Sequence, residues 1–131
     1  TVRDIFPTVM ELAGIQHKQL YATDSKKIQP SGYSLIPALK NNAARIRPVN
    51  YYEFKELHGS RYAKNDKWKL VENSPSKFNS HGWELYNLKK DFNEQHNVYA
   101  QHPEVVKISN DKYLSYADKN GVVDFEQYNK K

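Results

Sequence analysis

The sequence predicts an α+β chain: a four-stranded antiparallel sheet packed by a C-terminal helix and preceded by helical segments. Three observations carry this. Between residues 49 and 88, apolar and polar side chains alternate in four runs separated by short polar turns, the period of half-buried strands joined as a meander. Before them, Ile5, Val9 and Leu12 recur at helical spacing. After them, Pro103 and Gly121 bracket another helical pattern, at positions suited to start and stop it.

Residues 4–14 read as a helix, with Asp4 as cap, Pro7 in the first turn and Gly14 in the left-handed position beyond the last. Phe6, Met10 and Ala13 widen its apolar stripe, so the helix expects cover on more than one side. Residues 16–33 are polar, contain Pro30, Ser31 and Gly32, and read as a loop. Residues 34–40 repeat the helical grammar in miniature behind a capping Ser34. A linker, 41–48, closes with Pro48.

The period then changes. Residues 49–55 (VNYYEFK) form the first strand, His58-Gly59-Ser60 the turn, and residues 61–64 the second strand. Asn65-Asp66-Lys67 turns again, and residues 68–72 alternate as the third strand. A loop rich in Ser, Asn and Pro, 73–81, precedes the fourth strand, 83–88. There Trp83, Leu85 and Asn87 share one face, and Glu84, Tyr86 and Leu88 the other. The helix from Pro103 to about 118 should turn Val105, Val106, Ser109, Tyr113, Tyr116 and Ala117 inward. We expect Trp68 and Trp83 to be largely buried. From 122 onward only Val122, Val123 and Phe125 are apolar, so the tail reads as loose or borrowed by a neighbour. The expected division is 1–48, 49–121 and 122–131.

With 131 residues the chain is one domain or a piece of a larger one. Its apolar content is only 38% and its mean hydropathy −0.90, but ten Tyr, five Phe and two Trp supply enough ring area for a core. Beginning at Thr1 directly before a helical pattern, it reads as an excerpt. The absence of Cys excludes a disulfide framework, a thiolate metal site and a cysteine nucleophile within it. No stretch of eighteen apolar residues occurs, which speaks against a membrane span. The net charge of +5 is spread, with basic residues interleaved among acids and no basic run of four. That is a solvated surface rather than a nucleic-acid footprint.

His17, His58, His81, His96 and His102 show no i, i+4 pair and no HExxH string, so no metal site is read from them. Asp118, Asn120 and Asp124 lack EF-hand spacing, and there is neither a GxSxG elbow nor a glycine-rich phosphate loop. Arg61, Lys64, Lys67 and Lys69 could converge on an anion if they shared a face, but ordinary outward-facing strand positions explain them better. His58 and Arg61 stand apart because they flank a glycine turn, where side chains project toward a neighbouring cleft.

Five ordered strings carry a resemblance. Residues 4–15 (DIFPTVMELAGI) resemble the D-[IL]-x-P-T-[LV]-x-x-L-A-G motif of the formylglycine-dependent sulfatases, and residues 32–39 (GYSLIPAL) their G-x-S-L-x-P-x-L segment. Residues 61–71 (RYAKNDKWKLV) are similar to R-A-V-R-x-G-x-W-K-L-[VI]. Trp83 to Leu88 with Asp91, Glu94 and Asn97 resemble W-E-L-Y-D-L-x-x-D-P-x-E-x-x-N-L, and His102-Pro103-Glu104 the start of the closing helix. Lys64, Asp66 and Phe92 depart from the usual Arg, Gly and Pro; Asp66 should pay for a turn that Gly meets more cheaply.

The resemblance implies the C-terminal part of a sulfuric ester hydrolase of the arylsulfatase kind, whose first helical segments belong to the edge of a larger α/β domain. The parent enzyme would use calcium and a formylglycine made in a C/S-x-P-S-R string. No such string occurs here, and 73–77 (NSPSK) is rejected. No catalytic residue, metal ligand or cofactor is therefore expected within this chain. The implied partners are the missing N-terminal catalytic domain and, in the parent, a sulfated ester. Self-association through the first helix is the expected result of lacking that domain. Periplasmic or secreted placement is implied by the family alone. Substrate contact is assigned to His58 and Arg61, and Asp91, Glu94 and Asn97 are expected to hold their turn through side-chain to backbone hydrogen bonds. The rival reading is an independent basic module that binds sulfated polysaccharide or nucleic acid with steep salt dependence.

Overall fold

The computed structural model describes residues 1–15, 32–42, 44–73 and 82–123. Most of the loop expected at 16–33, the loop at 74–81 and the tail beyond 123 lie outside the described residues, as do His17 and His81. Backbone contacts divide the chain into two units, Thr1–Val49 and Asn50–Lys131.

In the first unit a single 3-10 turn, Val2–Asp4, leads into α1, Ile5–Leu12. Gly14 (φ +70°) ends it as expected. Its amide donates to the Glu11 carbonyl (3.1 Å) and the Ile15 amide to that of Met10 (3.0 Å), the paired bonds that satisfy carbonyls left over at a helix end.

Asp4 does not cap α1: its backbone is helical and its side chain bonds no α1 amide, reaching back to the Thr1 ammonium at the start of the 3-10 turn. The carboxylate is buried instead, accepting the Tyr33 amide (3.0 Å) and the Arg47 guanidinium (2.5 Å). Burial pushes the carboxyl up, but the Thr1 ammonium, the Tyr33 amide and Arg47 together hold it well below the usual carboxylate range. Thr8 does the matching work for the backbone. Its hydroxyl donates to the Asp4 carbonyl (2.5 Å) and accepts the Leu35 amide (2.9 Å). The strings at 4–15 and 32–39 are thus tied to each other. Gly32 is required at the crossing, because a Cβ there would stand 1.8 Å from the Arg3 carbonyl oxygen. The short helix α2, Ile36–Lys40, follows, with the Ile36 amide on the Ser34 hydroxyl (3.2 Å).

The second unit holds β1 (Glu53–Leu57), β2 (Ser60–Lys64), β3 (Trp68–Asn73) and β4 (Gly82–Asn87), antiparallel in the order 1-2-3-4. After β4 comes α3, Pro103–Asn120. The expected architecture is the observed one, with two boundary corrections. The sheet begins at 53 rather than 49, because Asn50 sits in a turn at φ +64°, a conformation no strand contains. The helix runs two residues past 118 and stops at Gly121 (φ +63°), where the Val122 amide returns to the Ala117 carbonyl (2.9 Å).

Register sets the faces. Phe54, Ala63, Leu70 and Leu85 lie in one row, and Glu56, Arg61, Glu72 and Trp83 in the next on the same face. That face takes α3: Tyr113 lies 6.4 Å and Tyr116 4.8 Å from the Phe54 ring, and His102 4.8 Å from Trp68, centroid to centroid. Leu70, Leu85, Ala63, Ser109 and Tyr113 are the buried centre. Val71 and Tyr86 are buried on the opposite face. Trp68 and Trp83 are only half-buried. Each lies one row out from the centre, where the ring covers the seam between sheet and helix with one edge in solvent.

Ser109 is fully buried, and among the described residues its hydroxyl has no hydrogen-bond partner. An unsatisfied buried hydroxyl costs about 1–3 kcal/mol. Ser109→Ala should therefore leave stability unchanged or raise it by about 1 kcal/mol in urea unfolding, whereas Ser109→Leu should lower it by about 1–3 kcal/mol through overpacking.

Candidate functional site

The β1–β2 hairpin is closed by a two-residue loop, His58 and Gly59, between the paired Leu57 and Ser60. Both loop residues carry positive φ, +50° and +82°, as the tight hairpin turn that matches strand twist requires. The Gly59 amide donates to the Glu56 carboxylate (3.2 Å). Asn or Gly is the usual residue at the first position, and histidine is among the few others enriched at positive φ. Its imidazole is exposed at the tip.

Arg61 lies three residues further on, on the face that meets α3. Its Nε donates to Glu72 at 2.5 Å, and its guanidinium lies 5.1 Å from the Trp83 ring centroid and 5.7 Å from that of Tyr113. The cation is therefore built into the seam between sheet and helix. Burial pushes the Tyr113 hydroxyl up, partly offset by Arg61, so it stays protonated. The basic residues of the middle strands do not converge. Lys64 and Lys69 oppose each other on the face away from Arg61, Lys69 pairs with Glu94 (2.5 Å), and Lys67 lies 4.9 Å from the Trp68 centroid.

The turn after β4 shows how the acidic string works. Asp91 accepts the amides of Gln95 (2.9 Å) and His96 (2.7 Å), and these two bonds hold its carboxyl below the usual range. Asn97 accepts the amides of Leu85 (3.1 Å) and Tyr99 (2.9 Å), while the Val98 amide donates to the Leu85 carbonyl (2.9 Å). Both backbone groups of Leu85 on the outer edge of β4 are thereby satisfied, which blunts that edge. Glu94 departs from the expectation: it stands at φ +57° and holds the loop by its ion pair with Lys69 rather than by a backbone bond. It also helps, with burial and Glu84, to push the Tyr86 hydroxyl up to about 12.

Asp66, expected to strain its turn, is not among the left-handed residues. Asn65 carries that turn, its side-chain oxygen accepting the amides of Lys67 (2.9 Å) and Trp68 (2.8 Å). Phe92, in the place of the usual Pro, is exposed. Among the described residues no group of three or more His, Cys, Asp and Glu side chains could hold a metal ion. His58, His96 and His102 stand on separate elements, His96 beside Asp91 and His102 beside Glu104.

Residues 2–116 match the family described as N-sulphoglucosamine sulphohydrolase, C-terminal. An uncharacterized sulfatase of Schizosaccharomyces pombe is 28% identical over 123 residues, covering 94% of this chain and 22% of its own length. Arylsulfatase K of Xenopus laevis is 32% identical over 126 residues, 88% of this chain and 22% of that protein. Among solved structures, a Bacteroides thetaiotaomicron protein from a core locus for the metabolism of multiple glycosaminoglycans shares the fold with a TM-score of 0.61 at 22% identity, over 86% of this chain and 24% of that one. Another, solved with its substrate D-glucosamine-2-N,6-O-disulfate, gives 0.58 at 19%, over 94% and 25%. The chain thus spans between a fifth and a quarter of the length of these relatives.

Proposed function

Since the chain belongs to the N-sulphoglucosamine sulphohydrolase C-terminal family, and so is the C-terminal part of a sulfatase, we propose that it closes one side of the active-site cleft of a sulfuric ester hydrolase and touches the organic part of the sulfated substrate. The β1–β2 hairpin carries this reading. An exposed imidazole stands at the tip of a two-residue hairpin turn, and loop tips carried by a rigid sheet are where binding side chains concentrate. His58 makes the contact. Arg61, neutralised by Glu72, takes part by fixing the strand behind the tip.

Hydrolysis itself falls to the parent's remaining sequence. The sequence holds no C/S-x-P-S-R string in which a formylglycine would be made, and among the described residues no group of three His, Cys, Asp or Glu stands together to hold calcium. The partner that completes the site is the N-terminal catalytic part. The exposed face of α1 (Ile5, Val9, Leu12) is where such a part, or a second copy in its absence, would gain most by docking.

The test is His58→Asn in the whole sulfatase, a change that keeps a residue at ease in the turn while removing the imidazole. We expect KM for the sulfated ester to rise about threefold to tenfold, as loss of one hydrogen bond to substrate would give, with kcat within about twofold. An unchanged KM would return the hairpin to a purely structural role.

A further inference from the structure

The sheet runs in the order 1-2-3-4, so β1 and β4 are its two edges. They are finished differently. On β4 the outward backbone groups of Leu85 are taken by Asn97 and Val98. On β1 the outward groups follow from register. The Asn65 amide donates to the Trp68 carbonyl (2.9 Å), so alternation turns the backbone groups of Arg61 and Ala63 toward β3 and those of Ser60, Tyr62 and Lys64 toward β1. Their partners Leu57, Lys55 and Glu53 face inward in turn, and Phe54 and Glu56 point their amides and carbonyls away from the sheet. Among the described residues no backbone bond outside the strands reaches these groups. The strand is fixed from behind, because the Phe54 ring stacks on Tyr52 (5.9 Å) and on Tyr116 of α3 (4.8 Å), while Lys55 and Glu56 are exposed.

We propose that the open edge of β1 pairs with β1 of a second copy of this chain, antiparallel about a two-fold axis through Phe54. An exposed edge is a template for another strand unless its side chains oppose the match. Here the side chains select one register. With Phe54 opposite Phe54, Glu53 of each copy stands across from Lys55 of the other on the face away from α3, and the two Phe54 residues exchange both backbone bonds. Moving the axis to residue 53 sets Glu53 on Glu53, to residue 55 Lys55 on Lys55, and to residue 56 Glu56 on Glu56. Like charges directly opposite are unfavourable. The charges that discourage other strands therefore accept this one. Five residues a side make a weak contact, with a dissociation constant on the order of 1 mM, so it follows association through the exposed face of α1 and does not replace it. The pairing needs nothing from the sulfatase reading, and its failure leaves that reading intact.

The test uses the 131-residue chain carrying Val9→Lys and Leu12→Lys, which take away the apolar face of α1. The chain has no Cys, so single cysteines report the register. When Glu53→Cys and Lys55→Cys chains are mixed under mild oxidation, the mixed disulfide should form first. Those two positions are directly opposite, with Cα atoms about 4.5 Å apart, whereas two copies of residue 53, or of 55, are diagonal at about 7–8 Å, beyond the reach of the bond. In an ¹⁵N NMR dilution series without the cysteines, the amides of residues 53–57 should move between about 0.05 and 1 mM. Lys55→Glu should weaken the pairing about tenfold, and adding the Glu53→Lys chain should restore it, since an acidic edge then meets a basic one. Circular dichroism checks that each variant is folded. Should Glu53→Lys, which faces Lys64 on β2, fail to fold, the cysteine pair still decides. Three results would overturn the proposal: amides of the strand unmoved up to about 1 mM; a Lys55→Cys homodimer forming as fast as the mixed species; or pairing unaffected by Lys55→Glu.

Discussion

Tyr113→Ala should cost about 3–5 kcal/mol of unfolding free energy, the range for removing a fully buried ring. Tyr113 is 2% exposed and is the largest of the fully buried side chains. Its ring joins the two aromatic groups of the helix-facing side: Phe54 at 6.4 Å and Tyr116 at 6.3 Å on one flank, and the Arg61 guanidinium at 5.7 Å on the other. Truncation leaves a cavity beside Phe54 and Tyr116 and also removes one of the two rings that shield Arg61. Tyr113→Phe keeps the ring and loses only the hydroxyl, so it should cost about 1 kcal/mol or less. Urea denaturation of the two variants checks the ratio. Near-equal losses would mean that the hydroxyl, and not the packing of the ring, holds α3 on the sheet.

What the sequence shows of this fold follows from which forces are local. Alternation along 68–72 and 83–88 reports burial directly, so the faces of β3 and β4 and the inner side of α3, Ser109 and Tyr113 included, are readable from spacing alone. Gly14 and Gly121 mark helix ends because no other residue adopts positive φ as cheaply. Long-range polar pairing is not readable. Asp4 has the grammar of a cap, yet a guanidinium 43 residues away claims its carboxylate. Glu94 sits in a turn-forming string but bonds to a lysine 25 residues back. The tryptophans mislead for another reason: a large ring next to the core is easily mistaken for its centre, which Leu70, Leu85 and Tyr113 occupy. At the candidate site, His58 is conspicuous only because it precedes a glycine in a hairpin turn. The open edge of β1 is half legible: the opposite charges of Glu53 and Lys55 stand in the sequence, but which backbone groups face outward follows only from the register.

The helix at the front of the chain should make the isolated protein associate. In α1, Ile5 is 56% exposed, Phe6 43%, Val9 54% and Leu12 71%, while the residues it buries are Pro7 and Thr8. The spacing that predicts a covered stripe is therefore present without its cover among the described residues of the first unit. Full burial of such side chains is worth about 1.5–3 kcal/mol each. Even half of that over four residues comes to several kcal/mol, enough to offset much of the cost of bringing two molecules together. Sedimentation of the 131-residue chain should show species larger than a monomer that grow with concentration from micromolar upward. Val9→Lys with Leu12→Lys should restore the monomer, because both side chains already face outward and the knot around Asp4 and Thr8 is untouched. The circular dichroism of the double variant should match that of the parent chain. In the whole sulfatase the same two lysines should have the opposite consequence, lowering stability by several kcal/mol if the N-terminal part supplies the missing cover. A chain that stays monomeric at every concentration, with residues 5–12 as protected from hydrogen exchange as the sheet, would show that α1 needs no partner.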